Sequence, residues 1–265
     1  MAIHLKNAAE LNTMREAGRL VAHALEAMKA AIKPGVSTWD LDQIAARFFE
    51  KHKARPAFLG YPPHSPHPFP AVITACINEE LVHGIPSRNR ILQEGDLISI
   101  DTACHYQGFV GDAAFTVGVG KITPEAQRLL DVTNQALLVG IEASKQGSQT
   151  SDVAKAIQAY VESQGYSVIR EYTGHGVGRA MHEEPTIPNW WPEKSLRRRM
   201  KKEWRSVPLK RGLTYAIEPM VSIGSPETQE LDDHWTVVMK DGGLCAHCEH
   251  TIAIADDEPL ILTLP

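Results

Sequence analysis

From Glu10 onward apolar or small side chains recur every three to four residues, at Leu11, Met14, Ala17, Leu20, Val21, Leu25 and Met28. This period lays one apolar stripe along a helix, predicted over 10–32 and stopped by Lys33-Pro34-Gly35. A second helix is predicted from Thr38 through Leu41, Ile44, Ala45, Phe48 and Phe49, and 55–70 reads as loop. The pattern then returns. Thr123-Pro124-Glu125 opens a helix through Leu129, Leu130, Val132 and Leu137, Lys145-Gln146-Gly147 breaks it, and another begins near Ser151. Alternating or continuous apolar runs predict strands at 71–77, 97–104, 109–119, 213–217, 235–239 and 244–254. Turns at Gly108 and at Asp241-Gly242-Gly243 are expected to join two neighbouring pairs as hairpins.

Shifting the chain by 112 aligns AIKPGVSTWDLDQIAARFFE with ASKQGSQTSDVAKAIQAYVE and matches Ala31 with Ala143, Lys33 with Lys145, Gly35 with Gly147, Thr38 with Thr150, Asp40 with Asp152 and Glu50 with Glu162. Two helical corners need Gly to end one helix and Thr or Ser to cap the next, which accounts for part of the likeness. Strands follow the helix pair both times, which favours duplication. The expected architecture is α/β (α+β): one domain over 1–265 with two pseudo-symmetric halves, about 1–120 and 121–265, around a mostly antiparallel sheet flanked by helices.

Length and composition agree with a globular body: 265 residues, 43% hydrophobic, without an apolar run near the ~18 residues of a membrane span. The start, MAIHLKNAAEL, lacks a basic patch followed by an apolar stretch, and four cysteines are too few for a disulfide framework. A cytoplasmic protein without membrane contact is expected. The formal charge of −5 is uneven, because residues 193–211 hold nine basic and two acidic side chains. Twelve histidines, several beside acids, direct attention to metal chemistry.

In ISIDTACHYQGFVGDAAF, a turn centred near Tyr106-Gln107 sets Asp101 directly opposite Asp112. Facing β-carbons lie roughly 4.5–5.5 Å apart, and two like charges so placed repel unless a cation sits between them. In 244–254, alternation puts Cys245, His247, Glu249 and Thr251 on one face. Glu249 and Glu218, the latter in Tyr215-Ala216-Ile217-Glu218-Pro219-Met220, both stand in apolar settings, where a buried carboxylate needs a partner, a metal or a proton. Gly174, Gly176 and Gly178 alternate around His175 and are read as a loop that leaves its imidazole free to bind metal or carry a proton. His182 and His83 complete the candidate set. Cys245-Ala246-His247-Cys248 is discounted as a metal motif because a strand sends its two sulfurs to opposite faces.

INEELVHGIP, ISIDTACHYQGFVGDAAFTV, TGHGVGRAMHEEPTIPN, AIEPM and WTVVMKDGGLCAHCEHTI, in this order, resemble the signature segments of type I methionine aminopeptidases. The resemblance implies the two-halved pita-bread fold. It further implies two divalent metal ions (Co, Mn, Fe(II) or Zn) held by Asp101, Asp112, His175, Glu218 and Glu249, with Asp112 and Glu249 bridging. His83 and His182 become substrate-side histidines and Glu218 moves a proton. Phe58, Tyr61, Phe69, Thr74, Met181 and Trp235 resemble the pocket for the methionine side chain. The substrate implied is the N-terminus of a peptide or nascent chain, acted on by a monomer.

Three segments depart from the family pattern. The loop GYPPHSPHPFP is longer, carries His64 and His67, and is expected to border the pocket. His247 stands where the family usually has Gln, beside Glu249. NWWPEKSLRRRMKKEWRSVPLKRG, covering the basic stretch 193–211, is also longer; it reads as a solvated helical excursion or as a docking surface for ribosomal RNA. Prolidases and Xaa-Pro aminopeptidases share the five ligands but usually carry an extra N-terminal domain. Type II methionine aminopeptidases have a long insertion between the residues equivalent to Glu218 and Glu249, which here are separated by thirty residues. Metal-free binding proteins of the same fold typically lose ligands.

Overall fold

The computed structural model describes residues 3–197 and 205–265. Four long helices, α1 (Ala8–Ala31), α2 (Thr38–Lys51), α3 (Pro124–Ala143) and α4 (Thr150–Ser163), lie close to the predicted segments. Their starts are fixed locally. Asn7 and Thr123 cap α1 and α3 through side-chain oxygens, and Pro124 supplies the preset φ of a first helical turn. At α2 and α4 the carboxylates of Asp40 and Asp152 reach back to the N–H groups of Ser37 and Gln149, each at 3.0 Å. Ser37 and Gln149, 112 positions apart, also form isolated antiparallel bridges with Ile91 and Pro208.

A nine-stranded sheet runs Arg55–Pro56, Leu97–Tyr106, Phe109–Gly118, Glu249–Ala253, Thr214–Ile217, Gly174–Gly176, Glu183–Ile187, with Ile73–Ile77 and Leu260–Ile261 pairing beside this path, all antiparallel. Alternation divides its faces. Ile98, Ile100 and Ala113 pack with Val21, Leu25, Met28, Leu41 and Phe49 of α1 and α2, while Ile217 and Ile252 pack with Leu129, Val132, Val153 and Ile157 of α3 and α4. Residues of opposite parity, including Asp101, Asp112 and Glu249, face away from the helices. The helices lie close against the sheet: a β-carbon at Gly111 would stand 2.6 Å from the backbone nitrogen of Gly18 in α1.

Several expectations change. The hairpin turns at Gln107-Gly108, whose φ values of 47° and 84° suit the two positive-φ positions of a tight hairpin. Pairing is therefore displaced by two from the expected register: Asp101 opposes Ala114 and Asp112 opposes Ala103. An even displacement keeps every side chain on its face, so the two aspartates remain on one side as diagonal neighbours. The expected strand 244–254 is two strands, Cys245–His247 and Glu249–Ala253, in different sheets. The partner chain breaks at the same level, because Pro219 has no N–H to give and separates Thr214–Ile217 from Met220–Ser222. The expected hairpin at Asp241-Gly242-Gly243 does not form: Val237–Met239 pairs with Thr228–Glu230 and Glu80–Val82, and Cys245–His247 pairs with Met220–Ser222. The Asp241 carboxylate accepts from Ser225 and Gly243 N–H and directs the chain between the two sheets. The glycine loop around His175 is a strand, Gly174–Gly176, and Arg55–Pro56 within the expected loop pairs with the main sheet. Residues 198–204, including Arg198, Arg199, Lys201 and Lys202 of the basic stretch, lie outside the described residues.

Candidate metal centre

Three sheet positions bring the carboxylates together. Thr74 pairs with Asp101, Asp101 with Ala114, and Ala114 with Glu249, so a row of four residues crosses four strands. Asp112 projects from the same face beside this row. Gly174–Gly176 is held between Thr214–Ile217 and Glu183–Ile187, and His175 pairs with Ala216 on one side and Thr186 on the other. Its flanking glycines are steric necessities, since a β-carbon would come within 2.4 Å of the Ala216 carbonyl oxygen at Gly174 and 2.3 Å of the Glu184 carbonyl oxygen at Gly176. Glu218 emerges where the partner chain breaks before Pro219.

His175 Nε2 stands 3.7 Å from Asp112 Oδ2 and 3.6 Å from Glu218 Oε1. Its Nδ1 lies 3.0 Å from the Gly176 carbonyl oxygen. A carbonyl only accepts, so Nδ1 carries the proton and Nε2 offers its lone pair to the cavity. Burial, then the neighbouring His182, pulls the His175 pKa down to about 3, so the ring is neutral. Burial pushes the Asp101, Asp112, Glu218 and Glu249 pKa values up, and the charge of Asp112 raises the other three further.

These groups fit a divalent cation. Asp101 Oδ1, Asp112 Oδ1 and Glu249 Oε1 are buried without a hydrogen-bond partner. Donor atoms of Asp112, His175 and Glu249 all lie within 4.8 Å of one another. Among the described residues no Lys or Arg lines the cavity to balance the acids. Carboxylate oxygens with one imidazole form a donor set suited to Mn, Fe(II), Co or Zn.

The surrounding cavity measures about 320 Å³ and contains every predicted site residue in its wall. Its apolar side is built from edge-to-face rings, Phe58 on Phe69 at 6.3 Å and Phe69 on Trp235 at 5.1 Å, with Met181 packed in the same cluster. Tyr61 Oη is 2.7 Å from His182 Nδ1, and the His182 ring lies 4.2 Å from that of His175. His83, with its pKa drawn down to about 4 by burial and then by His182, lies edge-to-face with Trp235 and Tyr172. The structure adds Val82, Glu171, Tyr172, Thr173 and His247 to the cavity wall. Tyr172 and Thr173 directly precede the glycine strand, and reading that strand as a loop concealed their inward placement. The longer loop borders the pocket through its backbone: Trp235 Nε1 donates to the His67 carbonyl at 3.1 Å, and the His67 ring stacks on His234. Cys245 and Cys248 enter different core clusters.

This cation-ready carboxylate group on a pita-bread sheet agrees with a family match over residues 12–256, and the chain belongs to metallopeptidase family M24. It is 47% identical over 264 residues to a methionine aminopeptidase of Aquifex aeolicus, covering 99% of each chain. The solved methionine aminopeptidase of Thermotoga maritima superposes with a TM-score of 0.91 at 39% identity, covering 100% of both chains. A Xaa-Pro dipeptidase of Bacillus anthracis has a TM-score of 0.75 at 20% identity over 98% of this chain and 61% of its own, a likeness of fold alone.

Proposed function

We infer that this protein is a metal-dependent aminopeptidase that removes the N-terminal methionine from peptides and nascent proteins whose second residue is small. The observation that carries this reading is the group of partnerless buried carboxylate oxygens beside His175, at the foot of an aromatic cavity. Asp101, Asp112, His175, Glu218 and Glu249 would hold two divalent ions, Co, Mn, Fe(II) or Zn. Bound there, such a pair supplies an acidified water and polarises the peptide carbonyl.

The remaining chemistry belongs to side chains. Glu218 accepts the proton of the attacking water and delivers it toward the leaving amine. His182, oriented through Nδ1 by Tyr61, and His83 present imidazole nitrogens to the scissile peptide, where charge develops on the carbonyl oxygen. Phe58, Tyr61, Phe69, Thr74, Met181 and Trp235 receive the methionine side chain, whose unbranched thioether fits an irregular apolar space and favours contact with ring edges.

Hydrolysis of Met-Ala-Ser and of Xaa-Pro peptides, with Mn, Co, Fe(II) or Zn added to metal-stripped protein, tests the reading. Cleavage of the first alone is expected. Cleavage of Xaa-Pro substrates alone would reassign the protein to the prolidase side of the fold, and inactivity on both with every metal would sink the enzymatic reading.

We further propose a cytoplasmic monomer that docks on ribosomal RNA through residues 193–211. Among the described residues, no helix is long and apolar enough to cross a membrane. Within this stretch Arg211 is paired with Asp256 at 2.9 Å. Neutralising Arg197, Arg198, Arg199, Lys201 and Lys202 should weaken ribosome binding most at low salt, and unchanged affinity would remove the docking role.

A further inference from the structure

Glu218 stands between two imidazoles. His175 Nε2 approaches Oε1 at 3.6 Å, and on the other side His247 Nε2 approaches Oε2 at 3.7 Å. His247 is only 2% exposed, and its Nε2 is buried without a hydrogen-bond partner. A buried nitrogen left unpaired is costly, so its direction is informative. The backbone allows little freedom to turn away. The His247 N–H donates to Thr116 Oγ1 at 2.9 Å, Thr116 Oγ1 donates to the His247 carbonyl at 2.7 Å, and His247 pairs with Met220 on the neighbouring strand.

Two roles are chemically open to this nitrogen: ligand, through its lone pair, or donor, through N–H. Among the described residues, the carboxylate that His247 Nε2 approaches is that of Glu218, and no contact joins it to Asp101, Asp112 or Glu249. The imidazole instead faces the Glu218 oxygen opposite the one toward His175. A carboxylate that serves a cation with one oxygen is held in place by a donor on the other.

We propose that His247 is a positioning residue whose Nε2–H donates to Glu218 Oε2 and keeps Oε1 turned toward His175 and the metal group. This rests on the metal-dependent reading above. At 3.7 Å the contact exceeds hydrogen-bond length, so the proposal requires the two side chains to approach by several tenths of an ångström.

The full-length protein, stripped and titrated with Co²⁺, tests this by calorimetry and by visible absorption of the bound ion. His247→Leu, which fills space without a donor, should weaken Co²⁺ binding roughly 10–100-fold and leave the shape of the absorption bands unchanged. His247→Gln, which carries its own N–H, should recover affinity to within a few fold. If the leucine protein does not fold, His247→Asn takes its place, with an amide too short to span the gap. Unaltered Co²⁺ affinity in the leucine or asparagine variant overturns the proposal. A changed absorption envelope that glutamine does not restore also overturns it, making His247 a ligand. Failure of the wild-type protein to bind Co²⁺ would instead remove the metal-dependent reading on which it rests.

Discussion

Ala114 occupies the place between Asp101 and Glu249 in the row that crosses the sheet. Its methyl group leaves open the space above it where the two carboxylates converge. Ala114→Val adds two methyl-sized groups at that point, and overpacking of this kind costs typically 1–3 kcal/mol. The expected result is a protein that folds, melts at lower temperature and binds Mn²⁺ at least tenfold more weakly, read by differential scanning fluorimetry and metal titration. The aspartates were legible in the sequence because facing acids in apolar strands demand an explanation, and an error of two in register left them on one face. Glu171, Tyr172 and Thr173 were not legible: nothing in their own residue types distinguishes a cavity wall from a loop. His247 was visible only as an oddity next to Glu249, since a break at Cys248 and the contact with Glu218 depend on a partner chain some thirty residues away.

At the scale of elements, the N-terminal arm acts as a brace for the segment that carries Met181 and His182. Lys6 is almost wholly buried, with 1% of its side chain exposed, and its ammonium donates to Glu183 Oε2 at 2.6 Å. The other oxygen of Glu183 accepts the N–H groups of Arg179 and Ala180 at 2.7 and 3.1 Å. Burial alone would raise the Glu183 pKa, but Lys6 and these amides outweigh it and hold the carboxyl below its ordinary value. A depressed carboxylate stabilises the fold above its unfolded pKa of about 4.3, and the contribution disappears as pH falls through the lower folded value. Glu183→Gln should therefore cost about 1.5–3 kcal/mol at neutral pH by denaturant unfolding, with the difference from wild type narrowing below pH 4. A constant difference from pH 7 to pH 3 would remove the charged pair as its source. Helices, with their caps and breakers, were read almost to the residue. The short strands were missed because three residues carry too little alternation to register, and Gly-His-Gly least of all.

For the whole molecule, helices cover one sheet face and the acids gather on the other, so folding concentrates negative charge where water is excluded. A bound cation relieves this repulsion, and stability is linked to metal concentration. With free metal at 100 times its dissociation constant the gain is about 2.7 kcal/mol, or roughly 5–10 °C in Tm for a chain of this size. Chelation should lower the melting temperature by that amount, and re-addition of Mn²⁺ or Co²⁺ should restore it. The α/β class with its mostly antiparallel sheet was accessible beforehand through the order of helical and strand patterns. The connection after Gly243 was not, because a glycine turn looks the same whether its strands pair with each other or part.

The join between Phe109–Gly118 and Glu249–Ala253 is short. The first strand matches Leu97–Tyr106 at ten positions, from Leu97 with Gly118 to Tyr106 with Phe109, but meets the second only at Ala114 with Glu249 and Ala113 with His250. Thr251 extends the contact, its Oγ1 accepting the Asp112 N–H at 3.2 Å and donating to the Asp112 carbonyl at 2.7 Å. A ladder of two residue pairs closed by a hydroxyl is the weaker of the two backbone joins that Phe109–Gly118 makes in the sheet. Opening there would part Asp112 from Glu249, and the lifetime of an ion held by that pair would then follow how often the sheet opens. Thr251→Val keeps the shape and deletes both hydroxyl contacts. It should speed amide exchange in 109–118 and 249–253 and shorten metal residence in a competition chase by a similar factor. Faster exchange with unchanged residence would mean that the ion leaves through the cavity mouth.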